Sequence, residues 1–416
     1  MEKLLLGIPI ENIGLTDHVQ TLSLFAIFSV FLIPFFLIFF KLKKSNLLST
    51  FLILIVWLLF STFFNIIFRS EVQDNLLRPL IGIAIGFSIF VLLREIFYRS
   101  SEYSAFVWLK YSYMIILISS LYDLISKFPE RSRIYASYTE PSHLGTDLAL
   151  IYFPLFLLYS NFMNRTEKIF LFFSLFLIVV LTFSATTVLK IVFFITLFYL
   201  FYLFTTKDFK YTFYTIVPII AIFSILLFVS FKLFPNNYLI HMMKYTIENI
   251  EKGYEHLPVS FTDRFCFWIF LLNLKNLDFS LELLIKFLIG GGLGEELLYL
   301  QFLPINIVDQ ILSVKAFTSY ITSFLGRIFS YGGIIGIILY FTFLFFVRKH
   351  IKRISSTPKE KAIFNAWLIT LLFSSTFDLA PFQTVSLWFL PAYIDGLSLK
   401  YKQHYLIITS RRKSYD

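Results

Sequence analysis

The chain has 416 residues, of which 58% are hydrophobic, 20% aromatic and only 15% charged. So few charges cannot cover a water-soluble body of that size, which excludes a soluble globular enzyme and points to a polytopic membrane protein. The formal net charge of +10 would suit a nucleic-acid partner, but the basic residues sit between apolar runs on alternate connections, so no nucleic acid is expected and the charge reads as topological.

A hydrocarbon core of about 30 Å takes roughly 20 apolar residues per crossing helix. In chain order the candidate spans are 21–40, 47–68, 79–93, 104–121, 144–162, 168–183, 186–204, 212–234, 325–347, 362–377 and 383–399, about eleven transmembrane helices. Lipid offers the backbone no hydrogen-bond partners, so each run must be a helix. Long unbroken runs without period-2 alternation exclude a membrane β-barrel. The expected fold class is therefore all-α, a single polytopic transmembrane domain over 1–416.

The segments 41–46, 94–102, 163–168, 205–210, 348–361 and 400–416 hold 20 of the 36 Lys and Arg. By the positive-inside rule that side is cytoplasmic, which puts 69–78, 122–143 and 235–324 outside, the N-terminus outside and the C-terminus inside. Residues 1–20 carry Lys3 and a short apolar start with no small-residue cleavage site, so no removable signal peptide is expected. A single cysteine, Cys266, excludes an intramolecular disulfide and a multi-thiolate metal site, and the six scattered histidines show no metal-ligand spacing. No metal and no cofactor are expected.

Loop 235–324 is far longer than most connections, and such loops are functional or disordered. It contains apolar segments at 265–274 and 283–289, too short to cross and suited to interfacial or re-entrant helices. Its run Gly290 to Gly294 reads either as a nest of backbone N–H groups for a phosphate, with Gly292 and Gly294 as its contacts, or as a bend between an interfacial helix and the next segment. Gly326, Gly332, Gly333 and Gly336 suit close helix packing at the ninth span. Asp147 and Lys190 lie near the outer ends of the fifth and seventh spans; charges there are costly against lipid, so both are expected to line one cavity. Arg327 either adds a cation to that cavity or anchors the ninth span at the interface.

The polar stretch Arg131 to His143 lies between two apolar spans and is the expected place for chemistry. It reads R-x6-E-P-S from Arg133 to Ser142, and is followed by Asp263-Arg264-x3-Trp268, Gly290-Gly291-Gly292-Leu293-Gly294, and Gly326-Arg327 to Gly332-Gly333-x2-Gly336. With the Ser/Thr-rich break at Thr182 to Thr187 and a large outer loop before the last three spans, this order resembles bacterial O-antigen polymerases, the Wzy-type relatives of the O-antigen ligases. The chain departs from that pattern in having Ala136 or Ser137 where the family often has glycine, and no base nearer the break than Lys190.

The resemblance implies a GT-C-like membrane glycosyltransferase, active without metal on the outer face of a bacterial cytoplasmic membrane. Donor and acceptor would be polyprenyl diphosphate-linked oligosaccharides, polymerised into O-antigen, capsule or exopolysaccharide. A chain-length regulator and a flippase would be partners. Arginine forks suit a leaving diphosphate, which assigns Arg133 and Arg264. Glu140 would accept the proton of the attacking hydroxyl, held at the mouth of the fifth span by Pro141. Ser142, His143, Asp147, Lys190, Asp263, Gly292, Gly294 and Arg327 would bind substrate.

Plainer readings stand beside these. Glu140-Pro141-Ser142 is also a good helix start, His143 a possible cap, Arg133 a surface partner for Glu130 or Glu140, and Arg264 for Asp263. A ligase would use nearly the same fold and donor. A lipid-linked oligosaccharide flippase or other transporter would be expected to carry charges at mid-membrane instead.

Overall fold

The computed structural model describes residues 42–69, 77–127, 141–182, 184–207, 281–293, 323–377 and 384–413, with single residues 134, 136, 221, 225, 232 and 382. Every regular element among them is helical. In chain order they are α1 (Asn46–Arg69), α2 (Leu77–Arg99), α3 (Glu102–Lys127), α4 (Pro141–Asp147), a π-helical turn (Leu148–Tyr152), α5 (Phe153–Leu158), a 3-10 turn (Tyr159–Phe162), α6 (Arg165–Leu181), α7 (Ala185–Thr206), α8 (Leu281–Ile289), α9 (Phe324–Ile354), α10 (Pro358–Phe377) and α11 (Val385–Lys413).

Among the described residues six stretches are long and apolar enough to cross a membrane: Asn46–Phe68, Pro79–Arg99, Glu102–Ser126, His143–Phe162, Thr186–Thr206 and Phe324–Ile354. The expected spans 168–183, 362–377 and 383–399 coincide with α6, α10 and α11, which are helices without that length or hydropathy. Spans 21–40 and 212–234 and the apolar segment 265–274 lie outside the described residues.

The rod from Pro141 to Phe162 runs through the middle of the bundle, with Leu144 to Phe156 wholly buried. Gly145 permits this closeness: a Cβ there would lie 1.9 Å from Thr187 Oγ1 on α7. Immediately below it the rod widens into the π turn, a local rearrangement that frees space at the cost of regular bonding. α2 and α11 pack along one another, with Gly396 against the Arg94 carbonyl and Gly86 against that of Phe382. Phe51, Phe90, Phe343 and Trp388 interlock between α1, α2, α9 and α11, supplying the dispersion contacts that hold helices together where lipid gives no hydrophobic drive.

α9 is not the single straight span that 325–347 suggests. Gly333 takes φ 62° and ψ −160°, and the chain reverses there. A Cβ on Gly336 would lie 3.1 Å from the Ile328 carbonyl, and the Phe324 and Tyr340 rings are 5.3 Å apart. Residues eight apart in a straight helix are about 12 Å distant, so limb 324–332 must fold back along limb 334–354. Helix packing does explain Gly332 and Gly336, which meet α1 and the first limb; Gly333 instead makes the turn.

Irregular backbone at membrane depth is tolerated where protein satisfies its polar groups. Here α1 does so. Ser61 Oγ donates to the Ile289 or Tyr331 carbonyl, each 2.8 Å away, and Trp57 Nε1 donates to Gly332 O at 2.8 Å. Since Leu58 touches Gly332 and Arg69 lies about 16 Å further along α1, the reversal sits well short of the α1 end. Phe324 and Ser375, both packed on Tyr340, lie about 10 Å deeper again. The start of the first limb and the α10–α11 connection are thus recessed within the bundle.

At the other, basic end a charge network closes the helices together. Arg94 Nε lies 2.7 Å from Asp395 Oδ2 and Nη1 lies 3.4 Å from Glu95, all three buried. Ser45 Oγ donates to Asp395 at 2.6 Å, and Arg94 also donates to the Lys43 carbonyl. His350 shares a 2.7 Å hydrogen bond with Ser398 beside this pair.

Candidate functional site

α4, the first limb of α9 and α11 all begin near the recessed connection, and α7 begins against α4. Their opening turns carry the buried polar side chains. Asp147, at the last turn of α4, is 4% exposed and accepts a hydrogen bond from Ser386 Oγ at the start of α11. Lys190, two turns into α7 and 1% exposed, donates to Thr146 Oγ1 at 2.5 Å. Thr146 and Asp147 are neighbours on α4, so α4 carries both contacts, one toward α7 and one toward α11.

Arg327 is buried at 6% exposure in the first limb of α9, whose start is capped by Ser323 Oγ accepting from Gly326 N at 3.1 Å. Phe324, one turn earlier, packs on Phe382 and Trp388, which bracket Ser386 in sequence. The fold-back therefore brings Arg327 to the same level of the bundle as Asp147. A straight ninth span would have left it at the surface as an interface anchor, and its burial corrects that alternative.

The stretch preceding α4 is tied to this region at two described points. Ile134 N donates to the Leu181 carbonyl at 3.2 Å, and Ala136 N reaches the Asp123 carboxylate at 3.4 Å. Ala136 sits at φ 46°, a left-handed conformation that costs a residue with a Cβ about 1 kcal/mol. Both residues are buried, Ile134 held on α6 and Ala136 on α3. Arg133, Glu140, Asp263, Arg264 and Gly294 lie outside the described residues. Ser142 lies within α4 and His143 beside it is exposed.

The glycine run is committed to packing. Gly290 N donates to Lys286 O at 2.8 Å, Gly291 N to Ser330 O at 2.8 Å, Gly292 N to Tyr331 O at 3.2 Å and Leu293 N to Thr62 Oγ1 at 2.8 Å. Those four N–H groups are not turned toward a ligand, so the phosphate nest expected around Gly292 is replaced by the other reading, a bend after α8. Glycine is required because Gly290 and Gly292 take φ 91° and 86°, and a Cβ on Gly290 would fall 2.6 Å from Gly332 N. α8 itself occupies the apolar segment 283–289 and packs on the first limb, Phe287 against Phe329 at 5.6 Å.

Several polar residues here are missing from the sequence reading. Asp123 carries the signal of an acid at the end of an apolar span; Thr146 and Ser386 carry none, being small hydroxyls whose meaning depends on which helix faces them. Among the described residues no three His, Cys, Asp or Glu side chains gather as metal ligands would. Chemically, the arrangement offers two buried cations, one buried carboxylate and hydroxyls at a recessed level, a set suited to an anionic and hydroxyl-rich ligand. Comparisons with protein-family models, with curated proteins and with solved structures find no match to this chain.

Proposed function

We propose that this protein polymerises polyprenyl diphosphate-linked oligosaccharide repeat units at the outer face of a bacterial cytoplasmic membrane. The observation that carries the reading is the burial of Asp147, Lys190 and Arg327 at one recessed level of an apolar bundle. Ile134 and Ala136, held on α6 and α3, come from the stretch that also contains Arg133 and Glu140. A diphosphate leaving an anomeric carbon needs cations where its charge grows, and buried cations act there without reorganising. Lys190 and Arg327 serve that role together with Arg133 and Arg264. Glu140 takes the proton from the attacking hydroxyl, a contribution of about 10²–10⁴-fold. Asp147 and Ser386 orient sugar hydroxyls or the cations themselves. No metal takes part in this scheme.

One observation favours a second reading, transport of the lipid-linked oligosaccharide. Transporters place substrate sites at discontinuous helices near the bilayer midplane, and the described residues include such an interruption at Gly333, in the helix that carries the buried Arg327. The surface-glycan gel profile of a deletion strain separates the readings. Complementation with Lys190→Ala, Arg327→Ala, Arg133→Ala or Glu140→Ala that leaves single-repeat bands but no ladder supports the polymerase. Loss of every repeat-bearing band supports a ligase or transporter, and an unchanged ladder in the deletion strain overturns the polymerase reading for that glycan.

A further inference from the structure

At the basic end, the 3-10 turn Tyr159–Phe162, the start of α6 and the start of α10 come together around two lysines. Lys359 Nζ donates to Ser160 Oγ at 2.5 Å and is half-buried against the rod. Lys168 stands close enough to Lys359 to depress its ammonium, an effect second only to burial, with Glu360 offsetting part of it. The nearby carboxylates are engaged elsewhere. Glu167 accepts from Lys110 at 2.8 Å, and Glu360 Oε2 accepts from Ser356 N and Oγ and from Thr357 N. Among the described residues neither Lys168 nor Lys359 has a carboxylate within ion-pair distance, whereas Arg94, Arg99 and Lys110 each have one.

Two like charges, one of them already partly stripped of water, form a site in which a counter-anion gains more than at a solvated surface. The flank beside Lys168 is apolar and open: Ile169, Phe170 and Phe173 are 62%, 47% and 51% exposed. A ligand matching both halves has a phosphate and acyl chains. We propose that Lys168 and Lys359, with the Ser160 hydroxyl between turn and helix, bind the phosphate of an anionic phospholipid whose chains lie along the exposed face of α6. This site is at the opposite end of the bundle from Asp147 and Lys190 and stands independently of the glycan reading.

The test uses the full chain in nanodiscs of phosphatidylcholine with or without phosphatidylglycerol, read by native mass spectrometry and by thermal unfolding. Wild type is expected to retain phosphatidylglycerol and to unfold at higher temperature in its presence. Lys168→Gln with Lys359→Gln is expected to lose that retention and the thermal protection that goes with it. Lys359→Arg is expected to keep it, and Lys352→Gln with Arg353→Gln, on the exposed end of α9, to leave it unchanged. Equal retention by wild type and the lysine pair variant overturns the proposal, as does an equal loss in the Lys352/Arg353 control. Protection by inorganic phosphate matching that of phosphatidylglycerol overturns the lipid as ligand in favour of a soluble phosphate.

Discussion

At the basic end of the bundle Arg94 is enclosed by Asp395, Glu95 and the Lys43 carbonyl, and Ser45 donates to Asp395 in turn. At the recessed level of the other end Asp147 and Lys190 are as deeply buried, and the hydroxyls of Ser386 and Thr146 are among their partners. Charge met by charge at 2.7 Å is a clamp, because removing either partner strands the other. A hydroxyl contact is softer, since a hydroxyl turns to donate or accept as a ligand demands. The first arrangement stabilises one packing of α1, α2 and α11, and the second suits a surface that must exchange its partners.

The comparison is sharpened most by breaking the clamp. Arg94→Ala should destabilise the protein by about 3–5 kcal/mol, because Asp395 is left buried and unpaired, while Arg94→Met with Asp395→Leu should recover most of that loss; thermal unfolding in detergent measures both. Next in size is the fit between α4 and α7. Gly145→Ala places a methyl into Thr187 and should cost about 1–3 kcal/mol, relieved in part by adding Thr187→Ala. At the softer end, Lys190→Ala and Arg327→Ala should leave unfolding temperature nearly unchanged relative to Arg94→Ala, yet lower glycan polymerisation by about 10²–10³-fold, as loss of a preorganised charge donor does. If Lys190→Ala is as destabilising as Arg94→Ala, the two ends do not differ in the way described.

The smallest effect concerns pH. Lys359 is held below the usual lysine range chiefly by burial and by Lys168, against the opposing pull of Glu360. The unfolded chain therefore binds more protons than the folded one between the depressed and the ordinary lysine values, and stability rises with pH across that window. Lys359→Gln should flatten the rise, seen by comparing unfolding temperatures of wild type and variant on the alkaline side.

How much of this is legible in the sequence differs by element. Spans with unbroken apolar runs are, because composition and length alone settle a lipid-facing helix; α1, α2, α3 and α7 fall within a few residues of the expected limits. The ninth span is legible only as apolar length. Its glycines read as packing residues because in a 3.6-residue period nothing distinguishes a glycine that admits a neighbour from one that reverses the chain. That distinction depends on α1 and α8 being in place to accept the freed backbone. The same holds for the site. Asp147 and Lys190 stand out as charges in apolar runs, and their shared neighbourhood follows from cost in lipid. Ser386 and Thr146 become visible only once α11 and α7 are laid against α4. Asp395 stands in the expected span 383–399 and Arg94 in the basic segment 94–102, and the sidedness count alone does not pair residues three hundred positions apart.

The reversal at Gly333 also bears on how the chain enters the membrane. Thirty-one residues in one rod would be about 46 Å long, well beyond a 30 Å hydrocarbon core, and a machine that inserts segments by hydrophobicity would accept Phe324–Ile354 whole. In the folded protein the first limb instead lies within the bundle, with Gly332 and Tyr331 received by α1. The packed form of this limb, and with it the burial of Arg327, thereby depends on α1 being in place.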